Sequence, residues 1–288
     1  MNKLVFTFFI LCCGFIFSQD NTEVYVFDIA PSYGGLDVMN AQNISNNKGY
    51  NNQPSFISNE VVVFAKNNEG QTDIAEYNLT TKTEKWICND TEGSEYSPQK
   101  FPTSNDVAAV RLDTDGKQRL YRYNSETGVS NEIIENLQVA YFAFYNNEKM
   151  LATVLSGDIM DLVLVNLKTK STDTLLENAG RSLQKIPGNN SMSYTLVNED
   201  KNLDLYVLDM NLKESFFICE LPSGTQDYVW LNDTQILTGK GSKLYIYDTL
   251  GTSEWNRVAS LEEYEINDIT RMAISPDGKK LALVAAEN

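Results

Sequence analysis

The sequence predicts an all-β fold: a six-bladed β-propeller with four antiparallel strands per blade, the last blade closed by N- and C-terminal strands. Three observations predict it. Six apolar anchors, Phe56, Phe101, Phe144, Ile186, Trp230 and Ile274, recur at spacings of 45, 43, 42, 44 and 44 residues. Each anchor is followed by a turn and a short β-branched or apolar run, and helical periodicity is absent. Finally, four short strands in a repeat of about 40–45 residues make a unit the size of a propeller blade. The rival, a β-sandwich, does not require six anchors in near-constant register.

The elements follow in order within each unit. The turns after the anchors include SerAsnGlu (58–60), SerAsnAsp (104–106), AsnAsnGluLys (146–149) and SerProAspGlyLys (275–279). Second strands follow at 61–64, 107–110, 150–153, 192–195, 236–238 and 281–284. Five hairpin tips come next, among them AsnAsnGluGly (67–70), AspThrAspGly (113–116) and GlyLysGlySer (239–242). Gly, Asn and Asp serve there because tight turns need positive φ or side-chain-to-backbone hydrogen bonds. Third strands are read at 74–77, 120–123, 162–165, 205–208 and 244–247, and fourth strands at sites such as 84–88 and 215–219. The C-terminal unit holds only two strands. The N-terminus supplies ValTyrValPheAsp (24–28) and LeuAspValMet (36–39) as its third and fourth, which closes the ring and removes a free sheet edge.

Ahead of the ring, Lys3, an apolar run over residues 4–17 and the small Ser18 read as a secretory signal peptide. The run is shorter than the roughly 20 residues that a membrane span needs. Residues 1–19 are therefore expected to be removed, leaving 20–288 as a periplasmic or secreted propeller. Lipid anchoring at Cys13 is disfavoured, because Ile10-Leu11-Cys12 is a poor lipobox. Two cysteines then remain, Cys88 and Cys219, at equivalent fourth-strand positions of the first and fourth blades. Half a turn apart on the outer rim, they are expected to be free thiols.

Composition excludes several functions. The net charge of −16 argues against nucleic acid and anionic lipid surfaces. The absence of histidine removes Ser-His and Cys-His nucleophile pairs, His metal ligands and the commonest general base. AspThrAspGly (113–116) starts like a calcium loop, but GlyLysGlnArgLeu follows and the pattern stops. No metal or other cofactor is expected.

IleSerProAspGlyLysLysLeuAlaLeuVal (274–284) resembles the WD40-like (PD40) repeat of TolB-type propellers, where a Ser-Pro-Asp-Gly turn joins the first two strands. GluTyrSerProGln (95–99), GlnArgLeuTyr (118–121), GlyArgSerLeuGlnLysIlePro (180–187), LysGlySerLysLeu (240–244) and IleThrArgMetAlaIleSerPro (269–276) are similar to exported TolB-like propellers of the Bacteroidota. The signal ending PheSerGln suits that phylum. The resemblance implies the fold and export, and it brings no catalytic residues with it. The chain leaves no room for the separate N-terminal domain of TolB, so a Tol–Pal-like role is not implied.

In a propeller the lead-in segments of the innermost strands approach the axis. Here they carry Glu95, Tyr96, Gln99, Tyr141, Arg181, Gln184, Asp227, Tyr228 and Arg271 as candidate binding residues. Arg and Tyr together suit carboxylates, phosphates, sugars or peptides. The competing interpretation, favoured by weight, is that Arg and Asp pair between blades and hold the ring, since buried charges must be paired. The functional expectation is a non-catalytic, monomeric binding scaffold for an envelope protein, peptide or glycan. The alternative is a carboxylate- or calcium-dependent propeller enzyme: a lactonase, lyase or glycosidase.

Overall fold

The computed structural model describes residues 21–88 and 91–286. The expected signal peptide and Cys13 lie outside the described residues.

The strands form six four-stranded antiparallel sheets, one per blade. At the N-terminus come β1 (Thr22–Ser32) and β2 (Gly35–Asn43). Blade 1 comprises β3 (Asn51–Phe56), β4 (Val61–Asn68), β5 (Gln71–Asn78) and β6 (Thr83–Cys88). Blade 2 comprises β7 (Ser94–Lys100), β8 (Val107–Leu112), β9 (Gln118–Tyr123) and β10 (Ser130–Glu132). Blade 3 holds β11 (Val139–Phe144), β12 (Lys149–Ser156), β13 (Ile159–Asn166) and β14 (Thr172–Leu176). Blade 4 holds β15 (Ala179–Lys185), β16 (Ser191–Val197), β17 (Leu203–Asp209) and β18 (Glu214–Glu220). Blade 5 holds β19 (Val229–Trp230), β20 (Gln235–Lys240), β21 (Lys243–Asp248) and β22 (Trp255–Ser260). Blade 6 runs β23 (Arg271–Ile274), β24 (Lys280–Ala286), then β1 and β2, so both ends of the chain share one sheet as the sequence predicts.

The second strands are continuous apolar runs because both of their faces are buried. Side chains alternate across a strand. In β4, Val62 and Phe64 pack against Val24, Val26 and Val284 of blade 6, while Val63 packs against Val107 and Ala109 of blade 2. The same split recurs in β24, where Leu281 and Leu283 face blade 5 and Ala282 and Val284 face blade 1. The apolar core is thus six clusters, one at each junction between neighbouring blades.

The drifted turns keep one hydrogen-bonding role. In the Ser-Pro-Asp-Gly turn, Ser275 Oγ accepts from the Lys280 N–H at 2.9 Å, and Asp277 Oδ1 accepts from the Lys279 N–H at 3.1 Å. Gly278 sits at φ +71°, which an L side chain rarely adopts. In blade 3 Asn146 Oδ1 does the same work for the Glu148 and Lys149 N–H groups, and in blade 5 Asn232 Oδ1 does it for Thr234 and Gln235. A further register escapes the sequence reading. Asn78, Asn124, Asn166, Asp209 and Asp248 each bond the backbone N–H two residues on, at the end of the third strand.

Closure rests on β1 pairing with β24, with Val24 opposite Val284 and Phe27 opposite Leu281. Lys280 Nζ donates to Asp28 Oδ1 at 2.6 Å across that seam. Cys88 and Cys219 are free, in the outer strands of blades 1 and 4. Both thiols are buried against the next blade, as small apolar side chains of the outer strands. Burial pushes both thiols up, Cys219 to about 12.

Candidate functional site

Six side chains, one from each blade, converge on the axis. Tyr50 precedes β3, Tyr96 is in β7, Tyr141 in β11, Arg181 in β15, Asp227 precedes β19 and Arg271 opens β23. Arg181 reaches this position beside Gly180, where a Cβ would lie 2.1 Å from Thr195 Oγ1, so only glycine fits. Asp227 is held from both sides. Arg181 donates to its Oδ2 through Nε at 3.0 Å and through Nη2, and Arg271 Nη1 donates to its Oδ1 at 3.0 Å. Arg181 Nη2 also reaches the Thr270 carbonyl at 3.2 Å, so blades 4, 5 and 6 are joined at the hub.

The tyrosines complete the ring. Tyr50 and Tyr96 meet edge to face with centroids 6.0 Å apart. The Arg271 guanidinium carbon lies 5.3 Å from the Tyr141 ring centre. Burial pushes the Tyr50 hydroxyl up to about 12, against the pull of the Arg271 charge. Burial works against the charge on Arg271, but neighbouring Asp227 and the hydroxyls of Tyr141 and Tyr50 outweigh it and raise its pKa. Arg271 therefore stays a cation in a nearly dry place.

Of the residues singled out in sequence, the structure brings Tyr96, Tyr141, Arg181, Asp227 and Arg271 together. Tyr50 joins them and was not singled out, although it lies in the same lead-in register. The other four do not join this ring: Gln99 and Gln184 border the channel on its far side, and Glu95 and Tyr228 are fully buried. Glu95 is fully buried between blades 1 and 2, where it accepts hydrogen bonds from Thr91 Oγ1 at 2.7 Å and the Tyr123 hydroxyl at 3.0 Å. Burial raises its pKa to about 7, and its Oε2 is left without a partner. Tyr228 is likewise fully buried, its hydroxyl donating to Ser193 Oγ at 2.8 Å. Glu95 and Tyr96 are consecutive residues of β7 and so point to opposite faces, and Tyr228 likewise faces away from its neighbour Asp227. Gln99 and Gln184 act as ties: their amide nitrogens donate to the Phe142 carbonyl at 2.6 Å and the Tyr228 carbonyl at 3.3 Å in the following blade.

The ring divides the central channel, and Tyr141 and Arg181 border the space on both sides of it. On the side of the lead-in loops and of the hairpins joining second and third strands lies a cup of about 730 Å³. Tyr50, Tyr96, Tyr141 and Arg181 form its floor. Leu112, Leu155, Met160, Leu203 and Pro222 wall it, and Lys201 stands at its edge. Among the described residues lining it there is no Asp or Glu. On the opposite side a chamber of about 470 Å³ is bordered by Gln99, Lys100, Lys185 and Trp230.

The calcium-like AspThrAspGly segment is occupied by arginines. Asp113 is bonded by Arg111 at 2.5 Å and Arg119 at 2.6 Å, and Asp115 by Arg119 at 2.7 Å. Among the described residues no cluster of three or more His, Cys, Asp or Glu could hold a metal ion. No helix among them is long and apolar enough to cross a membrane.

No protein-family model matches the chain, and no curated protein matches it in sequence. Solved structures do. A candidate TolB from Agrobacterium tumefaciens superposes with a TM-score of 0.68 at 11% identity, over 94% of this chain and 99% of that one. TolB from Acinetobacter baumannii gives 0.59 at 12% identity, over 93% of this chain and 64% of that one. An oligogalacturonate lyase in complex with manganese gives 0.57 at 14% identity, over 88% and 83%. At these identities the likeness is one of fold: the chain is a six-bladed propeller similar in fold to these structures.

Proposed function

We propose that this chain is an exported, non-catalytic binding scaffold of the cell envelope, taking a protein, peptide or glycan in its axial cup. One observation carries the reading: a cup of about 730 Å³ whose floor is a preassembled ring of tyrosines and an ion-paired arginine. Ligand sites have this size, with apolar walls and a few fixed polar groups. Arg181 costs little to organise on binding, because Asp227 already orients it. Paired-carboxylate glycosidase chemistry needs two acids facing the substrate. Asp227, in the hub beneath the cup, is tied to two arginines, and the described residues lining the cup contribute no acid. Export rests on the signal-like N-terminus.

The test is capture from envelope extract on the purified chain, compared with Leu155→Glu and Lys201→Glu variants. Both positions are exposed, so the fold is expected to survive. A bound species retained by the native chain and lost from both variants supports the scaffold. Identical catches overturn it.

A further inference from the structure

We propose that the cup receives the free C-terminal carboxylate of a peptide whose last residue is apolar. This rests on the scaffold reading and names its ligand class.

Charge is the first argument. The chain carries a net charge of −16, yet the described residues lining the cup include Arg181 and Lys201 and no acid. The hub beneath holds two arginines and one aspartate, so it retains one positive charge. Arg181 has its Nε and Nη2 committed to Asp227 and the Thr270 carbonyl, and Nη1 makes no hydrogen bond among the described residues. A guanidinium fixed in this way presents a donor in one orientation, which suits a carboxylate better than a mobile ammonium would.

The walls decide between a peptide and an acidic sugar. Leu112 and Leu155 are among the exposed large apolar residues of the molecule, 37% and 44% exposed, and both line the cup with Met160 and Leu203. A sugar would set hydroxyls against these aliphatic groups without hydrogen bonds, at a cost. An aliphatic or aromatic side chain would bury them instead. The carboxylate then meets Arg181 at the floor, the last side chain lies against the leucines, and the rest of the peptide leaves past Lys201.

The experiment uses two pools of N-acetylated octapeptides, random except for a C-terminal leucine, made as free acids and as carboxamides. Each pool is captured on the immobilised full chain and read by mass spectrometry. Loss of one charge-assisted hydrogen bond predicts retention of the acids at least about tenfold over the amides. Leu155→Glu, which places a carboxylate on the rim, is expected to abolish that preference with an unchanged melting temperature. Arg181→Lys is expected to reduce it. Equal retention of acids and amides, retention of neither pool, or retention of galacturonate oligomers in place of peptides would each overturn the proposal. The two readings fail separately. If an envelope species is lost from Leu155→Glu while the pools are not discriminated, the scaffold stands and the carboxylate inference falls.

Discussion

The hub has two unlike halves. Blades 1 to 3 send tyrosines to the axis, Tyr50, Tyr96 and Tyr141, whereas blades 4 to 6 send charges, Arg181, Asp227 and Arg271. Both halves solve one problem: polar groups crowd a place with little water. The charged half solves it by mutual pairing, so its three blades are locked through one carboxylate. The tyrosine half solves it with ring edges, as in the contact between Tyr50 and Tyr96. A charge needs a specific partner at a specific distance; a ring needs only neighbours. The charged half therefore acts as the mechanical clasp, and the tyrosine half can adapt to what enters the cup.

Experiments can break this contrast, beginning with the most drastic. Both halves depend on closure, since Arg271 sits on β23, which is held by β24. Deleting residues 279–288 removes the buried Leu281, Leu283 and Val284. At roughly 1.5–3 kcal/mol per large buried side chain, the loss is on the order of 4.5–9 kcal/mol. Thermal unfolding should lose its cooperative transition; an unchanged melting temperature would refute the shared blade. Next comes Asp227→Asn, which leaves two arginines without a counter-charge. Breaking a buried pair costs about 3–5 kcal/mol, so the melting temperature should fall by about 10 °C. If the fall is no larger than that of Tyr50→Leu, the clasp is not in the charged half.

On the tyrosine side, Glu95 is a fully buried acid with a folded pKa of about 7 against 4.5 for the ordinary group. The folded state binds the proton more tightly. Its stabilising effect is thus complete below about pH 4.5 and is lost as pH rises through 7, an amount of about 3 kcal/mol. Glu95→Gln should flatten this slope in denaturant melts between pH 5 and 8.5. A native slope identical to that of the variant would show that the acid is not protonated in the fold. The smallest effect belongs to Tyr50→Leu. It removes one edge-to-face contact and should cost about 0.5–1.5 kcal/mol.

The sequence displayed the ring of blades clearly and the hub only partly, for a physical reason. The anchors and second strands are legible because each must be buried on both faces, which forces apolar runs at fixed intervals. The lead-in segments are legible as places, but the bulges between Tyr96 and Gln99 and between Ala179 and Leu183 break the two-residue alternation. Which of two neighbours faces the axis then cannot be counted off. Tyr96 faces it and Glu95 does not; in blade 5, where the paired strand begins only at Val229, Asp227 faces it and Tyr228 does not. Tyr50 was findable, lying 46 residues before Tyr96 in the same register, just outside β3. The glutamines misled because a long amide that ties a neighbouring backbone reads like one awaiting a ligand.

The seam between β1 and β24 also sets an order of events. During synthesis β1 is made first, yet its partner follows only after the other five blades exist; the Lys280–Asp28 contact spans 252 positions. Such distant pairing is slow, because a long loop must be ordered before any contact rewards it. Blades 1 to 5 can therefore condense on local hairpins while the last spoke is missing and Arg271 has not met Asp227. On this order the hub closes with the last spoke, and only a finished wheel can offer a floor to a visiting molecule.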